Sequence, residues 1–416
     1  MKNQAFSHSS LARSLLSKDF FINSELIDDE YRSGIVNTAI SVSDNLFKNG
    51  ITLDTIEIGG KTGFSVTNYS EKIILRRCVS NIKSCINIPI KHRNQITKEV
   101  IPYLQEGTPY RIYRLDIKSF FESVNIEDVK QELEAYNQLS MHTKNLINAY
   151  LGNFNSNFQT GLPRGVEISP ILAELIMKPF DLTVSNHREV FYYARFVDDI
   201  IIITSSKEKE LDFFRWVQSR LLGSLHFNHV KKHIITVKKR VNSKNIPTGI
   251  EVANFEYLGY QYTVVDTKIG SNTERVIDRK VAVDLADKKV KQLKEKISKA
   301  FYNNHKVHDF PLLKDRLTFL VTNRELKQKK SKRSIPTGVY YNYSAINVDS
   351  QKLIELDSFL KSSVVFSRGR LGRLIQSSVT NQQKRELLKL SFVRGFEKRT
   401  HKEYSPNRLK EIARIW

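Results

Sequence analysis

The chain has 416 residues, of which 40% are hydrophobic, and a formal net charge of +22. Its length exceeds one ordinary domain, so two or three are expected around a sizeable core. Its longest apolar runs fall far short of the ~20 residues that span a bilayer. Its start lacks a signal-peptide core, and Cys78 and Cys85 make no disulfide framework or zinc set. A soluble, cytoplasmic chain with no membrane partner is the expectation, with both thiols in packing roles.

In chain order, residues 1 to about 50 show apolar positions at helical spacing. TIEIGGKTGFSVT reads as a hairpin around Gly59-Gly60, and EKIILRRCVSNIK as a further, basic strand. RNQITKEVIPYLQEG predicts a helix ending at Gly107, and YRIYRLDI, Tyr110 to Ile117, a strand. Asn125 is placed to cap a helix over NIEDVKQELEAY. GLPRGVEISPILAELIMKPF runs from a Gly/Pro loop into a helix, and a hairpin follows in YYARFVDDIIIITSS. LHFNHVKKHIITVKK and FEYLGYQYTVV are strand-rich, and from about 280 the pattern turns helical and basic. From Ser271 onward 33 Lys and Arg face 15 Asp and Glu, so this third carries +18 of the +22. Such one-sided charge favours nucleic acid, because neutralised phosphates release counterions.

Asp198 and Asp199 sit between two apolar runs. Two charges about 4 Å apart repel by roughly 1 kcal/mol in water and about 4 at an effective dielectric near 20. A solvated turn and a cation site both account for the doublet. Asp116 adds a third carboxylate inside an apolar strand, costly there unless paired or metal-bound. If that strand lies beside the hairpin, three carboxylates converge, and a divalent ion with oxygen ligands becomes the economical explanation.

The order of these pieces resembles the palm of the reverse transcriptases. YRLDIKSFFES is similar to the first motif, GLPRGVEISPILAEL to the second and RFVDD to the Tyr-x-Asp-Asp motif, with Phe196 in the tyrosine's place. LHFNHVKK and FEYLGY resemble the two motifs that follow, over Arg76 to Tyr260 in all. YRLDIKSFFESV, GLPRG and the C-terminal SFVRGFEKRTHKEYSPNRLKEIARIW are most similar to bacterial defence-associated, abortive-infection reverse transcriptases, with retrons as near kin.

The resemblance implies an α+β right-hand polymerase: fingers over 1–110, palm over 111–270, and a basic helical thumb and extension over 271–416. It implies an RNA-directed DNA polymerase with two Mg²⁺ ions, Mn²⁺ being a substitute. Asp116 and Asp198 would hold the ions, Asp199 would assist, and the Ile117 carbonyl would complete a shell. Phe121 would exclude a sugar 2′-hydroxyl, core packing being its bland reading. Gly161, Pro163 and Gly165 would let the loop approach the templating pair, and Arg164 replaces a glutamine of many relatives. Lys231 would donate a proton to pyrophosphate, with Lys232, His233 or a merely solvated strand as alternatives. Arg76 and Arg77, with Lys83, would grip triphosphate, and Tyr257, Leu258 and Gly259 the primer end. Arg368, Arg370 and Arg373 and the basic stretch Lys327–Arg333 would contact phosphates. Tyr340, Tyr341 and Tyr343 would stack bases or pack in the core.

Expected partners are an RNA template, open to being a cognate non-coding RNA, with dNTPs and a DNA product. A homo-oligomer or an accessory defence protein stays open. Template-independent or protein-primed synthesis on the same fold is the alternative activity. A non-catalytic RNA-binding scaffold is the alternative class, disfavoured because a scaffold has no use for a repulsive carboxylate cluster.

Overall fold

The structure, a computed structural model, describes residues 3–240, 249–266, 279–327, 334–347, 349–366 and 369–416. Arg368, residues 328–333 of the basic stretch and the 270/271 boundary lie outside the described residues. The chain forms two compact units, one of residues 1–92 and 110–236, the other of 93–109 and 237–416.

In the first unit, β1 (Leu53–Ile58) and β2 (Lys61–Val66) pair antiparallel across Gly59-Gly60. Both glycines have positive φ, +60° and +79°, as a two-residue hairpin turn of this hand requires. The stretch read as a basic strand is instead the helix Tyr69–Cys85. The Asn68 side chain accepts from Ser70 N and caps it, and Ile74, Cys78 and Ile82 recur every four residues on its buried face. The run Ile73-Ile74-Leu75 hides that period, because all three are buried.

The central sheet has the order β4-β5-β3-β6, with β3 Tyr110–Asp116, β4 Val190–Phe196, β5 Asp199–Thr204 and β6 His233–Val237. Ile200 to Ile203 are all buried, so β5 is covered on both faces. At the end of the sheet away from the aspartates, Glu208 accepts from Arg111 at 2.6 Å, Tyr113 at 2.9 Å and Thr204 at 2.7 Å. The helix Ser169–Ser185 packs against β4, and Asn125 caps Ile126–Glu134 as predicted.

The second unit holds the helix Arg93–Gln105 and an antiparallel meander of β7 (Ile250–Tyr257), β8 (Tyr260–Asp266) and β9 (Lys280–Leu285). Arg279, fully buried, ties this unit to itself through Asp266 and the carbonyls of Glu106, Thr108 and Lys238. The helices Asp287–Val307 and Phe310–Val321 follow, then a hairpin of β10 (Asn323–Lys327) and β11 (Ser334–Gly338). Further helices include Gln351–Val365, Gly369–Ser378 and Phe392–Glu397. The helical character expected after 280 is present, interrupted by β9 and this hairpin.

Candidate active site

Antiparallel register places Asp116, the last residue of β3, directly opposite Asp199, the first of β5. Directly opposed side chains share a face of the sheet, so two carboxylates meet where like charges are destabilising. The turn joining β4 to β5 is Val197-Asp198, and it brings in the third. Val197 has φ +59°, a strained conformation for a β-branched residue, which fixes the turn tightly beside the carboxylates. Ile117 N donates to Asp198 O at 3.0 Å and Asn228 N to Asp116 O at 2.7 Å. The residues after β3 are thus tied to the turn on one side and to Phe227 and Asn228 on the other.

Lys231 Nζ donates to Asp116 Oδ2 at 2.8 Å, and this bond is the main cause holding the lysine charged above its ordinary range. Burial raises the Asp198 carboxyl, with Asp116 adding to the effect. Burial and then the charges of Asp198 and Asp116 push Asp199 up to about 6. Asp198 and Asp199 therefore resist ionising, as carboxylates gathered without a cation do. Its all-oxygen donors suit Mg²⁺ by chemistry. Among the described residues, however, no three His, Cys, Asp or Glu side chains stand in a set that could hold an ion. The charge facing Asp116 is the Lys231 ammonium.

Beyond Ile117, the short helix Phe120–Ser123 carries the ring of Phe121, half-buried, with Phe120 beneath it at 5.6 Å between centroids. The Arg164 guanidinium lies over the Phe121 ring at 5.1 Å. Glu122 holds it there by a two-pronged pair, Nε to Oε1 at 2.8 Å and Nη2 to Oε2 at 3.0 Å. Lys61, at the start of β2, reaches within 4.0 Å of the same carboxylate. The glycines of the loop fit against protein backbone. A Cβ on Gly161, at φ +96°, would lie 2.8 Å from the Glu122 carbonyl carbon, and one on Gly165, at φ +94°, 2.7 Å from Phe64 O. Leu162 N donates to Phe121 O at 2.7 Å, so the Gly161–Gly165 loop and the Phe121 segment form one wall.

Residues 64–262 match the model of the family described as reverse transcriptase (RNA-dependent DNA polymerase). The match covers just under half of the 416 residues, and the family so described is one of RNA-dependent DNA polymerases. Among solved structures, telomerase from Candida tropicalis with a fragment of telomeric RNA is 13% identical, at a TM-score of 0.36 over 91% of this chain and 65% of that one. Telomerase from Candida albicans with telomeric RNA is 12% identical, at 0.31 over 83% and 54%. Truncated apo telomerase from Candida tropicalis is 12% identical, at 0.36 over 58% and 60%. The chain spans less than two thirds of the length of each.

Within the matched residues, the structure brings together Asp116, Ile117, Asp198, Asp199 and Lys231, with Phe121, Pro163 and Arg164 in the adjoining wall. It sets Arg76 and Arg77 to other work. Arg76 is buried and donates to Asp19 at 2.5 and 3.1 Å, to Glu167 at 2.5 and 3.1 Å and to Ser14 O. With these donors engaged it is a staple for the N-terminal segment and not an open phosphate ligand. Arg77 donates to the carbonyls of Ala5 and Asn3. Lys83 lines a cavity of about 410 Å³ bordered by Phe196, the last residue of β4, and Val197 of the β4–β5 turn.

In the second unit, Tyr257 is wholly buried, so it is a core residue and not a surface for a primer. Leu258 and Gly259, at φ +49° and +77°, make the β7–β8 turn, whose Leu258 carbonyl accepts from Arg93 Nε at 2.7 Å. Arg370 and Arg373 are exposed on the Gly369–Ser378 helix. Tyr340, Tyr341 and Tyr343 are half-buried and engaged by Phe396, His401 and Tyr260, which favours the packing reading. Glu122 and Lys61 were missed in the sequence. The signal available was an acid directly after Phe121 in a motif whose partner loop has arginine for glutamine.

Proposed function

We propose that the chain is an RNA-directed DNA polymerase that joins a primer 3′-oxygen to the α-phosphorus of a dNTP and releases pyrophosphate. The observation that carries this reading is the cross-strand pairing of Asp116 with Asp199, Asp198 on the adjoining turn, inside the residues that match the reverse-transcriptase family. Asp116 and Asp198 would hold Mg²⁺ as two carboxylates completed by substrate phosphates and not as a three-acid cage, with Asp199 and the Ile117 carbonyl beside them, and the bridge at Ile117 leaves that carbonyl outside its Lys118 and Asn228 bonds. When bound, such ions stabilise charge on the attacking and leaving oxygens.

The chain's own residues supply the rest. Lys231 keeps a proton on Nζ at the carboxylate cluster, positioned for transfer to the departing pyrophosphate oxygen. Phe121, steadied by Phe120 and Arg164, presents a ring that a 2′-hydroxyl would meet. Leu258 and Gly259 would bear on the primer end, and Arg370 and Arg373 on backbone phosphate. A bacterial defence role with an RNA template rests on the sequence likeness of YRLDIKSFFESV, GLPRG and the C-terminal segment. A reducing, cytoplasmic setting suits the two free thiols, Cys78 and Cys85. Among the described residues no helix is long and apolar enough to cross a membrane.

The test is incorporation of labelled dNTPs by protein purified with its bound RNA, in Mg²⁺, with and without RNase treatment. RNase-sensitive synthesis that Asp198→Ala and Asp199→Ala abolish is the expected result. Synthesis that survives RNase would replace templated copying with untemplated or protein-primed addition. No synthesis under either condition, with intact RNA bound, would leave the scaffold reading.

A further inference from the structure

A second concentration of uncompensated charge lies in the unit of residues 93–109 and 237–416, and its sign is positive. Arg324, at the start of the β10–β11 hairpin, is 8% exposed. Its guanidinium stacks on the Phe319 ring at 3.3 Å and donates through Nη1 to Phe319 O at 2.8 Å. Lys296, half-buried on the Asp287–Val307 helix, sets its ammonium over the Trp416 ring at 5.1 Å, and Trp416 Nε1 donates to Lys296 O at 3.2 Å. The two cations line one cavity of about 140 Å³, with Asn342 and Tyr343 in its wall and Leu285, Leu293 and Phe392 among its apolar residues.

Four other deeply buried cations are matched by acids, while a fifth, Arg316, donates to Asn303 Oδ1 and the Glu411 carbonyl. Arg76 meets Asp19 and Glu167, Arg195 meets Glu174 and Asp181, Arg279 meets Asp266, and Lys144 meets Glu134. Among the described residues no carboxylate pairs with Arg324 or Lys296. Burial brings Arg324 down to about 10, and burial together with the Arg324 charge lowers Lys296. Aromatic faces offset only part of the cost of holding two like charges out of water. The cavity is roughly ten times the ~15 Å³ that admits one water. A fork-shaped donor beside a point charge suits a tetrahedral oxyanion.

We propose that this cavity binds a phosphate group, with Arg324 and Lys296 as its charged ligands. The group is the 5′-terminal phosphate of a nucleic-acid strand or a free phosphate, and both present the same oxyanion. Trp416 is the reporter, because its ring lies on Lys296 and against Phe319 at 5.6 Å between centroids. The sequence has two tryptophans, so in Trp216→Phe protein Trp416 is the sole indole.

The full chain carrying Trp216→Phe is titrated at constant ionic strength with inorganic phosphate and with one short single-stranded RNA. That RNA is used in 5′-phosphorylated and 5′-hydroxyl forms. The expected result is a change in Trp416 emission and at least tenfold tighter binding of the 5′-phosphorylated strand, competed by inorganic phosphate. Lys296→Gln, at a half-exposed helix position, and Arg324→Gln should each remove that tenfold. A response to inorganic phosphate with no preference between the two strands assigns the site to a free phosphate. No response to phosphate or to the 5′-phosphorylated strand overturns the proposal, as does a response that persists unchanged in folded Lys296→Gln protein.

Discussion

Lys231 Nζ and Asp116 Oδ2 stand 2.8 Å apart, an ion pair between a loop lysine and the aspartate that ends β3. The lysine side chain is 56% exposed, so the pair contributes only about 0–1 kcal/mol to stability. Its importance should lie in the reaction. Lys231→Met is expected to slow single-turnover dNTP incorporation by about 10²–10⁴-fold, the range for a lost general acid, while the melting temperature moves little. A variant that melts several degrees lower yet incorporates at the original rate would reduce Lys231 to a counter-ion.

The Glu122–Arg164 pair sets a second expectation. Phe121→Val should admit ribonucleotides by removing the ring that meets the 2′-hydroxyl. Glu122→Gln leaves Phe121 in place and frees the guanidinium above it, at 5.1 Å in the intact wall. Discrimination between dNTP and rNTP should then fall by about tenfold, some 1.4 kcal/mol, without loss of the maximal dNTP rate. Competition assays on both variants read this directly. Intact discrimination in Phe121→Val would assign the ring to core packing, and intact discrimination in Glu122→Gln would make the pair a structural brace.

Much of this site could be read in the sequence because its residues sit in strands and turns with strong local signals. The β4–β5 hairpin carries its carboxylates between apolar β-runs, and Asp116 ends an alternating strand. Only pairing information was lacking, and register supplied it. Arg76 was misjudged for a different reason. Its partners Asp19 and Glu167 lie 57 and 91 residues away, and no local pattern reveals that a basic residue will be buried between two distant acids. The helix Tyr69–Cys85 was hidden likewise, since its three consecutive buried apolar residues fit a strand as well as a helix. Tyr257 shows the limit of motif transfer: its neighbours Leu258 and Gly259 turn outward, while its own ring is core.

Arg76 now supports a prediction about stability and pH. Asp19 is 1% exposed, and Arg76 holds its carboxyl below the usual range against the opposing effect of burial. In the intact protein the stability from this pair is present above the unfolded aspartate pKa near 3.8 and declines as pH falls through the lower folded value. Arg76→Met leaves a buried charge uncompensated and should cost about 3–5 kcal/mol at pH 7. Burial, the largest influence on Asp19, is then opposed only by the Leu16 N–H bond and the Lys72 charge, so its folded pKa should rise and the sign reverse. The variant should gain stability as pH is lowered from 7 towards 4, where the intact protein does not. Urea denaturation of both proteins at pH 7, 5.5 and 4 checks this, and parallel pH profiles would show that Asp19 does not depend on Arg76.

The exposed Arg370 and Arg373 on the Gly369–Ser378 helix give a prediction independent of catalysis. The log of RNA affinity falls linearly with the log of salt concentration, with a slope of about −0.7 per phosphate neutralised on a single strand. Arg370→Gln combined with Arg373→Gln should therefore make the slope shallower by about 1.4 and weaken binding alike across unrelated sequences. Neither side chain is buried, so the double variant should melt as the intact protein does. Filter binding from 50 to 300 mM KCl supplies both slopes. An unchanged slope would mean that the nucleic acid does not run along this helix, and would move its path to the other cations of the C-terminal third.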